Sequence, residues 1–179
     1  MNKIVIALFL FPVHLLAQNN IQFNGERIDF KINKDRFFIN GIYYFSNNSE
    51  KEIKQTILFP FSQSADSLVV KRVYNLTYNE NISFQNLNDA IAFKLLVLPK
   101  DSVKINIAYS QSTDKKNIYI LESTQTWGKA LERANYSLTT DSNVQIDSLS
   151  LKPDSLVNDI YYWEKHDFYP NENFQIWIK

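Results

Sequence analysis

The clearest alternation of apolar and polar positions lies in the middle of the chain. Val103, Ile105, Ile107 and Tyr109 alternate with Lys104, Asn106, Ala108 and Ser110, a period of two that turns one face of a strand to a core and the other to water. Residues 110–117 are polar and turn-forming and predict an open hairpin loop. The chain is then expected to return as a strand over 117–127, with Tyr119 and Leu121 on the face of Trp127 and Ile118 and Ile120 on the other. Gly128 permits a corner there, with Trp127 plugging the core. Residues 129–134 (KALERA) are good helix formers with room for about two turns, and 135–140 is extended again.

The same reading extends to both sides. Residues 26–32 alternate, with Ile28, Phe30 and Ile32 on one side, and 36–45 is more continuously apolar, as in a strand buried on both faces or bent at Gly41. A polar turn over 46–52 leads to a strand over 53–59 with Ile53, Ile57 and Phe59 in phase, closed by Pro60. Residues 68–74 read as a strand. Over 80–92 the signal is mixed: Ile82 and Phe84 suggest a strand, and Asn86 or Asn88 could cap a short helix. Ile91, Phe93, Leu95 and Val97 mark a further strand, ended by the turn at 99–102. Three more are expected at 144–151, with Ile146 buried, at 159–163 (DIYYW) and at 173–178 (NFQIWI), the last two separated by a loop containing Pro170.

About nine to eleven short strands and no long amphipathic helix predict an all-β fold. The expected architecture is a two-sheet antiparallel, immunoglobulin-like β-sandwich with at most one or two short helices, in one domain over residues 18–179. Residues 1–17 read as a secretory signal peptide: Lys3 supplies the positive end, residues 4–16 are apolar apart from His14, and Ala17 is the small residue at the cleavage point. That apolar run is too short for the roughly 18–20 residues that span a bilayer. The expected location is therefore extracytoplasmic, periplasmic or secreted, with no membrane insertion after cleavage.

Composition narrows the chemistry. The chain has no cysteine, which excludes a disulfide scaffold, a thiol nucleophile and a thiolate metal site. Nineteen basic residues face nineteen acidic ones without a basic stripe, so nucleic acid is not an expected partner. Once His14 leaves with the leader, His166 is the remaining histidine. It lies beside Glu164 and Asp167, and neither a Gly-x-Ser-x-Gly elbow nor an H-E-x-x-H pair accompanies it. No catalytic residue, metal ligand or cofactor is assigned. Asp141, Asn143 and Asp147 could offer oxygens to calcium but read as a solvated turn. A glycosidase needs only two facing carboxylates, which the sequence cannot pair by itself.

The polar turn NNSEKE before a strand ending LFPF, the block TQTWGKALERANY, and a terminal strand after DFYPNENF together resemble secreted β-rich envelope domains of unknown function from Bacteroidota. The resemblance covers most of the mature chain and implies an extracytoplasmic β-sandwich; it supplies no activity and matches no characterised family. In the same setting, Asp-Ser-aliphatic triplets place Ser67, Ser102, Ser148 and Ser155 in a pattern similar to the O-glycosylation acceptor of Bacteroidota. The competing explanation is turn chemistry, in which Asp and Ser finish a turn and the aliphatic residue opens a strand.

Aromatic residues are the one excess. Trp127, Tyr161, Tyr162 and Trp163 are the candidate ligand-binding residues, as a stacking platform for a sugar or an anchor for a partner; packing in the core is the alternative use of the same rings. The expected function is a non-catalytic structural or protein-interaction module of the cell envelope, its partner an envelope protein or a glycan. The alternatives are a carbohydrate- or small-ligand-binding module using exposed aromatics and, more remotely, a carboxylate-based hydrolase. Enzyme status stays open, with the balance against activity.

Overall fold

The computed structural model describes residues 21–63 and 67–179. The signal-peptide assignment and its cleavage point lie outside these residues. Fourteen strands occur among the described residues: β1 Gln22–Ile32, β2 Arg36–Ser46, β3 Ile53–Pro60, β4 Val69–Asn75, β5 Glu80–Asn81, β6 Phe84–Asn86 and β7 Ala90–Val97 in the first part. β8 Ser102–Ser112, β9 Lys116–Tyr119, β10 Leu131–Thr140, β11 Ile146–Leu149, β12 Ser155–Val157, β13 Ile160–Phe168 and β14 Phe174–Ile178 follow. A 3-10 helix, Glu122–Trp127, separates β9 from β10. No helix among the described residues is long and apolar enough to cross a membrane.

The all-β expectation stands, and its sheet arrangement needs correction. One sheet has eight strands in the order β12-β13-β10-β1-β2-β8-β4-β5, and two smaller sheets have three strands each, β11-β14-β9 and β3-β7-β6. The large sheet is mixed, because β1 runs parallel to β10 from Gly25↔Arg133 to Ile32↔Thr140 while its other neighbour, β2, is antiparallel. The two-sheet, wholly antiparallel plan is thus replaced by one broad sheet and two narrow ones.

Both narrow sheets pack on the apolar face of the broad one. Phe59 of β3 meets Tyr43 of β2 and Tyr109 of β8 at ring separations of 5.2 and 6.0 Å. Phe174 of β14 meets Phe30 of β1, Tyr136 of β10 and Trp163 of β13 at 5.0, 5.5 and 4.9 Å. A continuous cluster of buried side chains runs beneath both, including Ile28, Phe30 and Ile32 of β1 and Ile105, Ile107 and Tyr109 of β8, as the alternation requires. The polar turn after β2 is tied down by Asn47, whose Nδ2 donates to the carbonyls of Lys51, Val97 and Leu98.

Four local expectations are revised. Residues 129–134 do not form a helix; β10 begins at Leu131. Helix propensity is a weak prior, and here pairing on both sides, with β1 and β13, outweighs it. The predicted strand over 117–127 ends at Tyr119. Beyond it, the Asn173 side-chain oxygen accepts from the backbone N–H of Leu121 and of Glu122, taking donors that a ladder would otherwise need. The helix suggested near residue 88 is instead a hairpin between β6 and β7, closed by the Leu87 N–H on the Ala90 carbonyl. At the C-terminal side, β13 runs on to Phe168 rather than ending at Trp163.

Candidate functional site

Among the described residues no ladder joins the two narrow sheets to each other, and a cavity of about 300 Å³ opens at the seam between them. β3 supplies one wall through Gln55, Ile57 and Phe59; the 3-10 helix supplies the other through Ser123, Thr124 and Trp127; the floor is Glu26, Tyr43 and Tyr119. Thr56, Leu58 and Thr126 are exposed at the rim, whereas Glu26 is only 2% exposed.

Glu26 reaches the floor through local features of β1. It lies in phase with Ile28, Phe30 and Ile32, so strand alternation alone aims it inward. A bulge between Phe23 and Gly25 resets the register against β2 and lets Phe23 face inward as well. Gly25 is required there because a Cβ would collide with the Arg133 carbonyl of the paired strand. Gly41 plays the matching role in β2: a Cβ would collide with the Tyr43 ring, which folds back over the space that glycine leaves.

The floor is a chain of hydrogen bonds. Tyr136 Oη donates to Glu26 Oε1 at 2.7 Å and Tyr119 Oη donates to Oε2 at 2.9 Å. Tyr43 Oη lies 3.1 Å from Tyr119 Oη. A phenol has a single proton; since that of Tyr119 is given to Glu26, Tyr43 must donate to Tyr119. Burial pushes the Glu26 carboxyl up from 4.5 to about 7, against the pull of the Tyr136 and Tyr119 hydrogen bonds. Burial, helped by the nearby Glu26 charge, also raises Tyr43, Tyr109, Tyr119 and Tyr136 above the usual phenol value, so these hydroxyls stay protonated donors at neutral pH.

Trp127 is brought to this site. It is half-buried, lines the cavity, and packs on Phe23 and Phe45 at 5.7 Å from each ring. Gly128 ends the 3-10 helix with φ +71°, its N–H bonded to the Gln125 carbonyl, so the corner falls where the Trp-Gly pair suggested, with Trp127 walling a cavity instead of plugging the core.

The other three aromatic candidates lie elsewhere, on β13. Trp163 is buried among Phe174 and Tyr161 and donates from Nε1 to the Leu151 carbonyl. Tyr161 is half-buried on the same face, and Tyr162 is exposed on the opposite one. Tyr162 borders a broader groove of about 530 Å³, lined also by Arg27, Asp29 and Asn135. In that groove Ser137 Oγ donates to Asp29, and the Asn135 side-chain oxygen is buried without a hydrogen-bond partner among the described residues.

The serines are dispersed. Ser102 opens β8 and Ser155 opens β12, Ser148 lies in β11, and all three are exposed; Ser67, before β4, is half-buried with its carbonyl accepting from Arg36 Nη1. Their preceding aspartates act in local structure in two cases: Asp101 accepts from the Ser102 N–H, and Asp154 accepts from the Glu164 N–H and pairs with Lys165. His166 is exposed and 3.2 Å from Glu164. Asp141 closes a tight turn with Val144 and pairs with Lys31. Among the described residues Glu26 is the single carboxylate lining the cavity, so these residues do not assemble there the two facing carboxylates of a glycosidase.

No family model matches the chain, and no curated protein matches it by sequence. Its fold is similar to solved structures. A candidate nutrient-binding protein of Legionella pneumophila superposes with a TM-score of 0.68 at 13% identity, over 90% of this chain and 67% of that one. An M1 zinc metallopeptidase of Deinococcus radiodurans gives 0.56 at 7% identity, over 89% of this chain and 43% of that one. The leukotriene A4 hydrolase of Saccharomyces cerevisiae gives 0.54 at 14%, over 88% and 29%. The chain spans less than half the length of either enzyme. At these identities the likeness is one of fold alone: the chain shares a β-rich architecture with a candidate binding protein and with part of two larger enzymes.

Proposed function

We propose that the protein is a non-catalytic, extracytoplasmic β module that binds a small molecule in the seam cavity. The observation that carries this reading is a buried carboxyl with a phenol network at the bottom of an opening lined by aromatic rings. Pockets that combine apolar walls with a few convergent polar groups are the common form of small-ligand sites. At ~30 Å³ per water the volume holds about ten waters or one ligand of similar size. The nutrient-binding assignment of the Legionella protein supports a binding role, and the absence of an H-E-x-x-H pair argues against carrying over zinc chemistry from the peptidases. This places the small-ligand alternative ahead of a structural or protein-interaction role in the envelope.

A second reading rests on the outer groove, where the exposed Tyr162 ring and the unpartnered Asn135 oxygen suit a sugar. One screen separates the two. Fragments of about ten heavy atoms, together with common monosaccharides, are tested by ligand-observed NMR on the protein, on Ser123→Trp and on Tyr162→Ala. Ser123 is a half-buried residue of the cavity wall, so tryptophan there fills the opening from the 3-10 helix side. Ligands lost in Ser123→Trp and kept in Tyr162→Ala support the seam cavity; the reverse moves the site to the groove; ligands unaffected by either variant refute both.

A further inference from the structure

Resting on that reading, we propose that the seam cavity selects small organic ammonium ions, with the Glu26 carboxylate as counter-ion and the rings of Phe23, Phe59 and Trp127 as the surrounding wall. Three observations converge. Among the described residues the lining contains no lysine, arginine or histidine, and Glu26 is its single acidic residue, so an anionic ligand meets no positive partner there and a cation meets one carboxylate. Each Glu26 oxygen accepts one phenol hydrogen bond, which leaves each with unused acceptor capacity. Tyr136, which holds Oε1, is outside the lining, while Tyr119 and Tyr43 are within it, so the carboxyl is held from behind and borders the cavity at its floor, where it is 2% exposed.

The rings supply the second half of the recognition. Phe23 sits 5.7 Å from Trp127 and 6.2 Å from Tyr43, and Tyr43 sits 5.2 Å from Phe59, so aromatic groups border the cavity from β1, β2, β3 and the 3-10 helix. An ammonium group over such faces is attracted by the ring quadrupoles, and its apolar body is buried by the same surfaces. A neutral alcohol of equal shape gains only the burial. The hydroxyl of Tyr43 gives its proton to Tyr119 and keeps lone pairs for a second N–H of the ligand.

The proposal carries a pH signature. The groups facing Glu26 are Tyr43 from β2, Tyr109 from β8, Tyr119 from β9 and Tyr136 from β10, all of them phenols that hold their protons through neutral pH. Ammonium binding requires the Glu26 carboxylate and so competes with its protonation near pH 7. Affinity should therefore be full at pH 8 and fall towards about tenfold per pH unit well below 7.

The test is a calorimetric titration with 2-phenylethylammonium and with 2-phenylethanol at pH 8 and pH 6, on the protein and on Glu26→Gln. The expected result is at least about tenfold tighter binding of the ammonium at pH 8. That preference should shrink at pH 6 and vanish in Glu26→Gln, which still binds the alcohol. Equal binding of the two probes overturns the ammonium proposal and leaves the cavity reading intact. An ammonium preference that survives Glu26→Gln also overturns it. Failure of both probes, with fragments in the Ser123→Trp screen also failing, removes the proposal together with the cavity reading.

Discussion

Glu26 is stabilised as a hydrogen-bond acceptor and destabilised as an ion, and the balance depends on pH. Its carboxyl is raised from 4.5 to about 7 in the folded protein, so between these values the folded chain holds a proton that the unfolded chain has released. Stability is unpenalised below pH 4.5, falls as pH rises through that window, and is lower by about 3 kcal/mol above pH 7. In Glu26→Gln the pH dependence across this window should flatten. The variant should gain about 1–3 kcal/mol at pH 8, part of the relief being offset by one rearranged tyrosine hydrogen bond. Denaturant unfolding at pH 5 and pH 8 checks this; a variant destabilised equally at both would show that the carboxyl is not charged in the fold at pH 8. A buried carboxylate that costs stability at neutral pH fits a binding role. The alternation of β1 carries a signal for it that the sequence reading missed, since a glutamate in phase with Ile28, Phe30 and Ile32 is a charge on a buried stripe. Its two phenol partners, 93 and 110 positions away in the chain, had no local signal.

At the scale of elements, β14 shows how a short terminal strand can bind layers together. It is the middle strand of its narrow sheet, between β11 and β9, and its Phe174 touches aromatic rings of β1, β10 and β13. Phe174→Ala should cost about 3–5 kcal/mol, read as a shift in the denaturation midpoint; a cost below 1 kcal/mol would mean that β14 is not a core strand. Strands with period-two patterning, such as β8 and β14, were legible from the chain alone. The segment from residue 117 to 134 was not. Its helix formers fall in β10 because pairing with β1 and β13 decides, and its supposed strand becomes a 3-10 helix because Asn173 and the Pro170 carbonyl hold it from 45 or more positions away. Trp127 stood out as an aromatic beside a glycine, yet only the fold shows that it walls a cavity.

At the scale of the molecule, the count of short strands indicated an all-β protein but not how they divide among sheets, because strand order depends on pairings such as β1 with β10 that no local pattern encodes. The export reading belongs to this scale as well. Expressed with its leader in a Gram-negative host, the protein should be recovered outside the cytoplasm with an intact mass equal to residues 18–179. An unprocessed mass would refute cleavage after Ala17, and a larger processed mass would point to glycan on one or more of Ser67, Ser102, Ser148 and Ser155.

The seam between the narrow sheets has a consequence for how such a module can diversify. Among the described residues no backbone ladder crosses it, so the two walls, β3 and the 3-10 helix, do not depend on pairing with each other. Exchanging Gln55, Ile57, Ser123 or Thr124 alters the volume and polarity of the opening without touching a single strand pairing. Ligand preference and foldability are thereby carried by different residues, and one scaffold can be retuned for new molecules by a handful of substitutions while Glu26, Tyr119 and Tyr136 keep the floor in place.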